Sequence, residues 1–154
     1  MKKDSVTTPV TASPFYLFDL ELSEHGIGCH TMLEAFPAAA YICDMHGHVR
    51  IFNHLAVNLF GRMPASGTDK WCMSLKTFSP NGRPLQPEEY PVARTIEQQR
   101  PYTGKAIIIE KPDGSRRMLE VNTSLLYNQR HQPVAVMCVA RPPLTSSDWL
   151  ATSV

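Results

Sequence analysis

The sequence predicts an α+β domain built on an antiparallel sheet, and three observations carry that prediction. The final third holds three apolar runs, YTGKAIIIEK, RRMLEVNTSLLY and VAVMCVA, separated by the turn segments PDGS and NQRHQ. An earlier pair, AAYICD and VRIFN, flanks the turn MHGH. A helical stretch, VARTIEQQR, stands between these two groups of strands instead of alternating with single strands. That order favours helices packed over one face of an antiparallel sheet, not a doubly wound parallel one. With 154 residues, 43% of them apolar, the chain can bury one ordinary core without a structural metal or disulfide.

Residues 1–14 carry Lys, Asp, Ser, Thr and two prolines and are expected to form a mobile lead-in. Residues 15–36 read as a helical cap: Phe15, Phe18 and Leu22 recur near the spacing of one helix face, Gly26 and Gly28 interrupt it, and a short helix runs from His30 to Phe36. Pro37 sets off the core, residues 37–142. Its first unit is a hairpin turning at Asp44 or His46 and Gly47, followed by a short helix. Asn53 can cap that helix, Leu55 and Leu59 stack along it, and Gly61 permits its stop. The middle segment is rich in Pro and Gly and reads as loops anchored by Trp71, Met73, Leu75 and Phe78. The longer helix begins near Glu88 or Pro91, and Val92 and Ile96 form its apolar face. In the closing meander Ile107, Ile109, Leu119, Val121, Val136 and Cys138 supply the facing core positions. Residues 143–154 are a tail or linker containing Trp149.

The succession of FPAAAYICDMHGHVRIFNHLAVNLFGR, WCMS, NGRPLQPEEYPVARTIEQQRP and PDGSRRMLEV through PVAVMCVAR resembles the sensory PAS domains of bacterial sensor kinases and signalling proteins, over about residues 30–142. The resemblance implies a five-stranded antiparallel sheet with short helices and one longer helix enclosing a ligand cavity. It implies a role in detecting a signal, pairing, or passing a change to an output protein. Asn53 matches the family position that starts the short helix after the first hairpin. The cavity-side candidates are Trp71, Met73, Phe78, Val92, Ile96, Ile107, Leu119, Val121 and Val136, each of which serves equally well as ordinary core packing. The segment around Phe15 to Leu22 resembles the amino-terminal cap through which such domains pair, so a homodimer through cap and sheet is expected. The exit departs from the family: Ala140, Arg141, Pro142 and Pro143 stand where many members carry an Asp-Ile-Thr-like segment leading into a coiled linker.

No catalytic arrangement is evident. There is neither a GxSxG nor an assignable serine-histidine-acid set among Ser66, Ser74, Ser79, Asp69 and the six histidines, and GRMPASG lacks the ending of a phosphate-binding loop. Glu88 and Glu89 are accounted for as helix-start residues. With the resemblance, this leads to the expectation of a non-catalytic sensory domain that binds a small ligand, such as a metabolite, or a partner and transmits a conformational or dimerisation change, or alternatively of a protein-interaction and dimerisation module with no small-molecule ligand. A formal charge of +1 gives no electrostatic case for nucleic acid or an anionic membrane. The basic start MKK is not followed by a long apolar segment, so a cytoplasmic setting is the default. The four cysteines, Cys29, Cys43, Cys72 and Cys138, form no CxxC pair and read as buried thiols.

Haem and flavin are the cofactors that some PAS domains carry, and the residues argue against both. Haem needs an axial donor facing the cavity. VARTIEQQ has no histidine, leaving Cys72, Met73, His54 or Met118. Cys72 lies roughly where blue-light relatives place a reactive cysteine, but the surrounding Asn-Cys-Arg-Phe-Leu-Gln pattern is absent. Histidines 46, 48 and 131 sit in turns, and no HExxH-like set suggests a metal. The ligand's identity stays open at this level.

Overall fold

The structure is a computed structural model that describes residues 29–64 and 69–143. The lead-in, the pairing segment Phe15 to Leu22, the glycines at 26 and 28, Ser66, and the tail with Trp149 lie outside the described residues. Within them the order is α1 (Cys29–Ala35), β1 (Ala39–Asp44), β2 (Val49–Phe52), α2 (His54–Phe60), β3 (Lys76–Phe78), a 3-10 turn (Pro87–Glu89), α3 (Pro91–Gln98), β4 (Tyr102–Glu110), β5 (Arg116–Tyr127) and β6 (Pro133–Arg141). The α+β class is the one the sequence predicts. The strands form one sheet in the order β2-β1-β6-β5-β4-β3, and every pairing is antiparallel.

This sheet has six strands, one more than expected. The addition is β3, three residues from the Pro- and Gly-rich middle, whose Thr77 pairs with Ile109 and whose Phe78 pairs with Ile108. A strand this short carries too few alternating positions to declare itself in the sequence.

Strand alternation gives the sheet two unlike faces. The inner face is lined by Tyr41, Cys43, Ile107, Ile109, Leu119, Val121, Val136 and Cys138, closed over by Ala56 and Phe60 of α2, Val92 of α3 and the Cys72–Met73 segment. Tyr41 meets Phe60 edge-on, with ring centroids 5.9 Å apart. The outer face carries Ala40, Ile42, Ile51 and Ala135, covered by Leu33 of α1. Strand β1 is buried along its whole length because it is covered on both sides.

Asn53 joins these layers. Its Oδ1 accepts from Ala56 N at 3.0 Å, the helix cap that its sequence position predicts, and also from Ala40 N at 3.1 Å. Its Nδ2 donates to Leu33 O at 3.0 Å and Ala38 O at 2.8 Å. Helix α2 ends at Gly61, whose φ of 75° is left-handed backbone suited to glycine.

The first hairpin is held by Asp44. Its Oδ1 accepts from the amides of His46 and His48 at 2.9 and 3.0 Å, and its Oδ2 pairs with Arg50 Nε at 2.7 Å. Burial raises the Asp44 carboxyl, but Arg50 and the two amides more than offset it, so the group titrates below the ordinary aspartate value. A depressed folded-state pKa contributes stability that is complete above the unfolded pKa, about 3.9, and is lost as pH falls through the lower folded value. In urea titrations across that acid range, Asp44→Asn is therefore expected to flatten the pH dependence of stability. An unchanged slope would contradict this account of the turn.

Candidate functional site

The longer helix α3 is the element that places the site. Pro91 opens it without leaving a donor unused, and Gln99 ends it in the left-handed region at φ 55°. Its buried side is fixed at two points. Val92 enters the inner core, and the Thr95 hydroxyl bonds to that of Thr123 on β5, both groups being buried. Thr123 Oγ1 also accepts from Tyr102 N at 3.0 Å, so one threonine ties α3, β4 and β5 together.

An adjacent side of α3, carrying Pro91, Arg94 and Gln98, borders a cleft of about 670 Å³ between the helix, the loop around Ser79 to Glu89, and the first half of β4. That is within the size range of small-molecule sites, roughly 300–1,000 Å³. Leu85, Pro91, Ala106 and Ile107 contribute apolar wall, while Arg83, Arg94, Arg100 and Lys105 supply four basic side chains against one acidic one, Glu89. Glu89 is already engaged. Its two carboxylate oxygens bond to the Arg83 guanidinium at 3.2 and 3.3 Å, and Oε1 accepts from Gln86 N at 2.8 Å. The bond from Arg83, followed by that from the Gln86 amide, holds the Glu89 carboxyl below its ordinary value. Gln98 braces the far wall: its Oε1 accepts from Arg100 Nε at 3.1 Å and from the Tyr102 hydroxyl. The Arg100 guanidinium sits 5.0 Å from the centre of the Tyr102 ring.

β4 is irregular beside the cleft. Its register with β5 shifts between Tyr102 and Lys105, and Gly104 adopts φ 66°, donating its amide to Asn122 Oδ1 at 2.8 Å. A bulge here turns the strand locally and sets Lys105 at the cleft mouth.

Six of the nine cavity-side candidates, Met73, Val92, Ile107, Leu119, Val121 and Val136, are brought together in the inner core, with Trp71 and Ile96 packed partly buried against it. Phe78 is not brought there. It pairs with Ile108 on the opposite face from Thr77 and Ile109, with Arg116 3.9 Å above its ring. Ile107 also borders the cleft, and Trp71 borders a smaller depression of about 340 Å³ together with Cys72, Leu75 and Tyr90. The basic residues of the cleft were not singled out from the sequence. The available signal was the i, i+4 pair Arg94 and Gln98 on α3, followed closely by Arg100 and Lys105.

The side chains considered as haem ligands do not converge. His54 lies on the surface beside Glu34 at 2.8 Å, Met118 is exposed and pairs with Ile108 on the outer face, and Met73 is fully buried among apolar neighbours. The Cys72 thiol is buried, receives Ser74 N at 3.4 Å and lies 3.8 Å from the Thr77 hydroxyl. Desolvation raises all three core thiols, Cys43, Cys72 and Cys138, the last to about 12. In a C29S background these thiols are expected to react with an aromatic disulfide reagent at pH 8 only as fast as the chain opens, because the thiolate is the nucleophile. Fast reaction in the native state would contradict their burial.

No family sequence model matches this chain, and no curated protein does. Solved structures do. The PAS domain of the fruit-fly ELK potassium channel superimposes with a TM-score of 0.57 at 12% identity, covering 73% of this chain and 91% of that one. The light-state structure of the blue-light photoreceptor Aureochrome1 LOV gives 0.55 at 10% identity, covering 82% and 97%. The light-state dimer of the fungal blue-light photoreceptor Vivid gives 0.52 at 11% identity, covering 85% and 95%. The fold of this chain is accordingly the PAS fold, as the resemblance in its sequence implied.

Proposed function

We propose that this chain is a non-catalytic sensory and signal-transduction domain whose signal is a small ligand held in the α3–β4 cleft. The observation that carries this reading is the attachment of α3. One face of the helix borders the cleft through Arg94 and Gln98, while Thr95, the next residue after Arg94, is bonded to Thr123 in the middle of the sheet. A ligand that binds one position of α3 more tightly than another shifts the population between them. Thr95 passes that shift to β5, whose alternate residues face outward, where an output protein or a second copy would read it. Uses of this fold in a potassium channel and in blue-light receptors are in keeping with a sensory role.

In this reading the ligand is a colourless metabolite and not haem or flavin, because the inner face is occupied by packed side chains. The free thiols Cys43, Cys72 and Cys138 suit a reducing, cytoplasmic setting. Among the described residues no helix is long and apolar enough to cross a membrane.

A second reading, a homodimerising interaction module without a ligand, is favoured by the outer face. There Leu126, Met137 and Val139 stay only partly buried beside α1, and the cap segment at residues 15–36 is the partner surface the sequence suggests. Native mass spectrometry of the gently purified chain, with its absorption spectrum, separates these readings. A small-molecule mass excess without a visible band is the expected result. A ligand-free dimer would move the assignment to the second reading, and a chromophore band with a flavin or haem mass would overturn the colourless-ligand assignment.

A further inference from the structure

We infer that the α3–β4 cleft selects a small organic anion bearing at least two negative charges on carboxylate or phosphate groups. This deepens, and rests on, the ligand-binding reading above. The chain as a whole is close to neutral, at +1, yet four basic side chains share this one concave surface with a single acid. Like charges gathered in a cleft repel one another unless an anion is shared among them.

The acid present cannot serve that purpose for all four. Glu89 is held by Arg83 through both of its oxygens. Arg94 is half-buried and attracts the already engaged Glu89 through space without a hydrogen bond or salt bridge to it, and Lys105 is exposed and has no hydrogen bond or ion pair from its side chain among the described residues. Arg100 is positioned in advance by Gln98 and the Tyr102 ring, an arrangement that limits the rotamer freedom a binding cation must otherwise lose. Two cations without a salt bridge, Arg94 and Lys105, and one braced guanidinium therefore border a volume of about 670 Å³. Guanidinium groups bind carboxylates and phosphates through paired N–H donors. The apolar wall formed by Leu85, Pro91 and Ile107 accommodates the carbon skeleton between the charged groups.

Isothermal titration of the full chain at low salt tests this, using succinate, pyrophosphate and phosphoglycerate as small acidic probes, with polyglutamate and neutral glycerol as comparisons. At least one acidic probe is expected to bind one-to-one, glycerol is not, and added salt weakens the binding. R94Q/K105Q is expected to weaken it roughly tenfold or more, while R130Q, in the distant β5–β6 turn, leaves it unchanged. Succinate binding alone assigns the site to carboxylates, pyrophosphate alone to phosphates. The inference is overturned if no acidic probe binds, if R94Q/K105Q binds as tightly as the native chain, or if only polyglutamate binds, which would mark a protein-docking surface. Failure of the sensory reading looks different: an acidic probe binds and depends on Arg94 and Lys105, but amide exchange in α3 and β4 does not change.

Discussion

Replacing Asn53 with alanine is expected to destabilise the fold by about 3–5 kcal/mol, the largest effect of any single polar substitution considered. The side chain is fully buried and makes four hydrogen bonds: two accepted from the amides of Ala40 and Ala56, and two donated to the carbonyls of Leu33 and Ala38. Alanine removes all four bonds in a place water reaches poorly, although Ala56 N keeps its bond to the backbone oxygen of residue 53 and Leu33 O keeps the bond from Phe36 N, each at 3.1 Å. Loss of a helix cap alone costs about 1 kcal/mol, so a loss confined to that figure would mean that only the bond to Ala56 matters. Asn53→Asp should be no rescue. It keeps the two acceptor bonds but sets a carboxylate oxygen against two carbonyls, in a site with no cation among its hydrogen-bond partners. Urea unfolding of the three proteins gives the comparison.

Replacing Gly47 with alanine is expected to cost about 2–4 kcal/mol, from backbone strain and overpacking together. Gly47 adopts φ 89°, which L side chains rarely tolerate, and a Cβ there would come within 2.3 Å of the Trp71 ring. The indole cannot simply retreat. Trp71 N donates to Gly47 O at 2.7 Å, the Tyr41 hydroxyl donates to Trp71 O at 3.3 Å, and Val49 N donates to Asp69 O at 2.8 Å. The turn and the Trp71 segment must therefore separate together. Altered tryptophan fluorescence should accompany the lost stability. A W71A/G47A pair, in which the clash is removed, should show the second substitution costing less than it does alone, and strict additivity would contradict the packing argument.

These two positions also show what the sequence discloses and what it withholds. Asn53 before an apolar helical run is legible as a cap, and Gly47 in MHGH as a turn, because both signals are local. That Asn53 also reaches Leu33, and that Gly47 is the floor beneath Trp71, depends on contacts between distant segments. The strands of the final meander were readable from their alternation and from PDGS, where Gly114 indeed takes φ 88°. β3 was not readable, since three residues among prolines give no period, and with it went the face on which Phe78 sits. The cleft was hidden for a different reason. Its basic residues are spread between positions 83 and 105 and are diluted in a nearly balanced charge total, so only the packing of α3 against β4 reveals that they share one surface.

The central claim, that occupancy of the cleft is passed through α3 to the sheet, is tested most directly by amide hydrogen exchange on the full chain with and without saturating phosphoglycerate or pyrophosphate, whichever titrates more tightly. The account predicts slower exchange in α3 and the start of β4, together with a change in β5 around Thr123 that Thr95→Val abolishes while leaving binding in place. Saturation of the cleft with no change in exchange at α3 or β5 would contradict it.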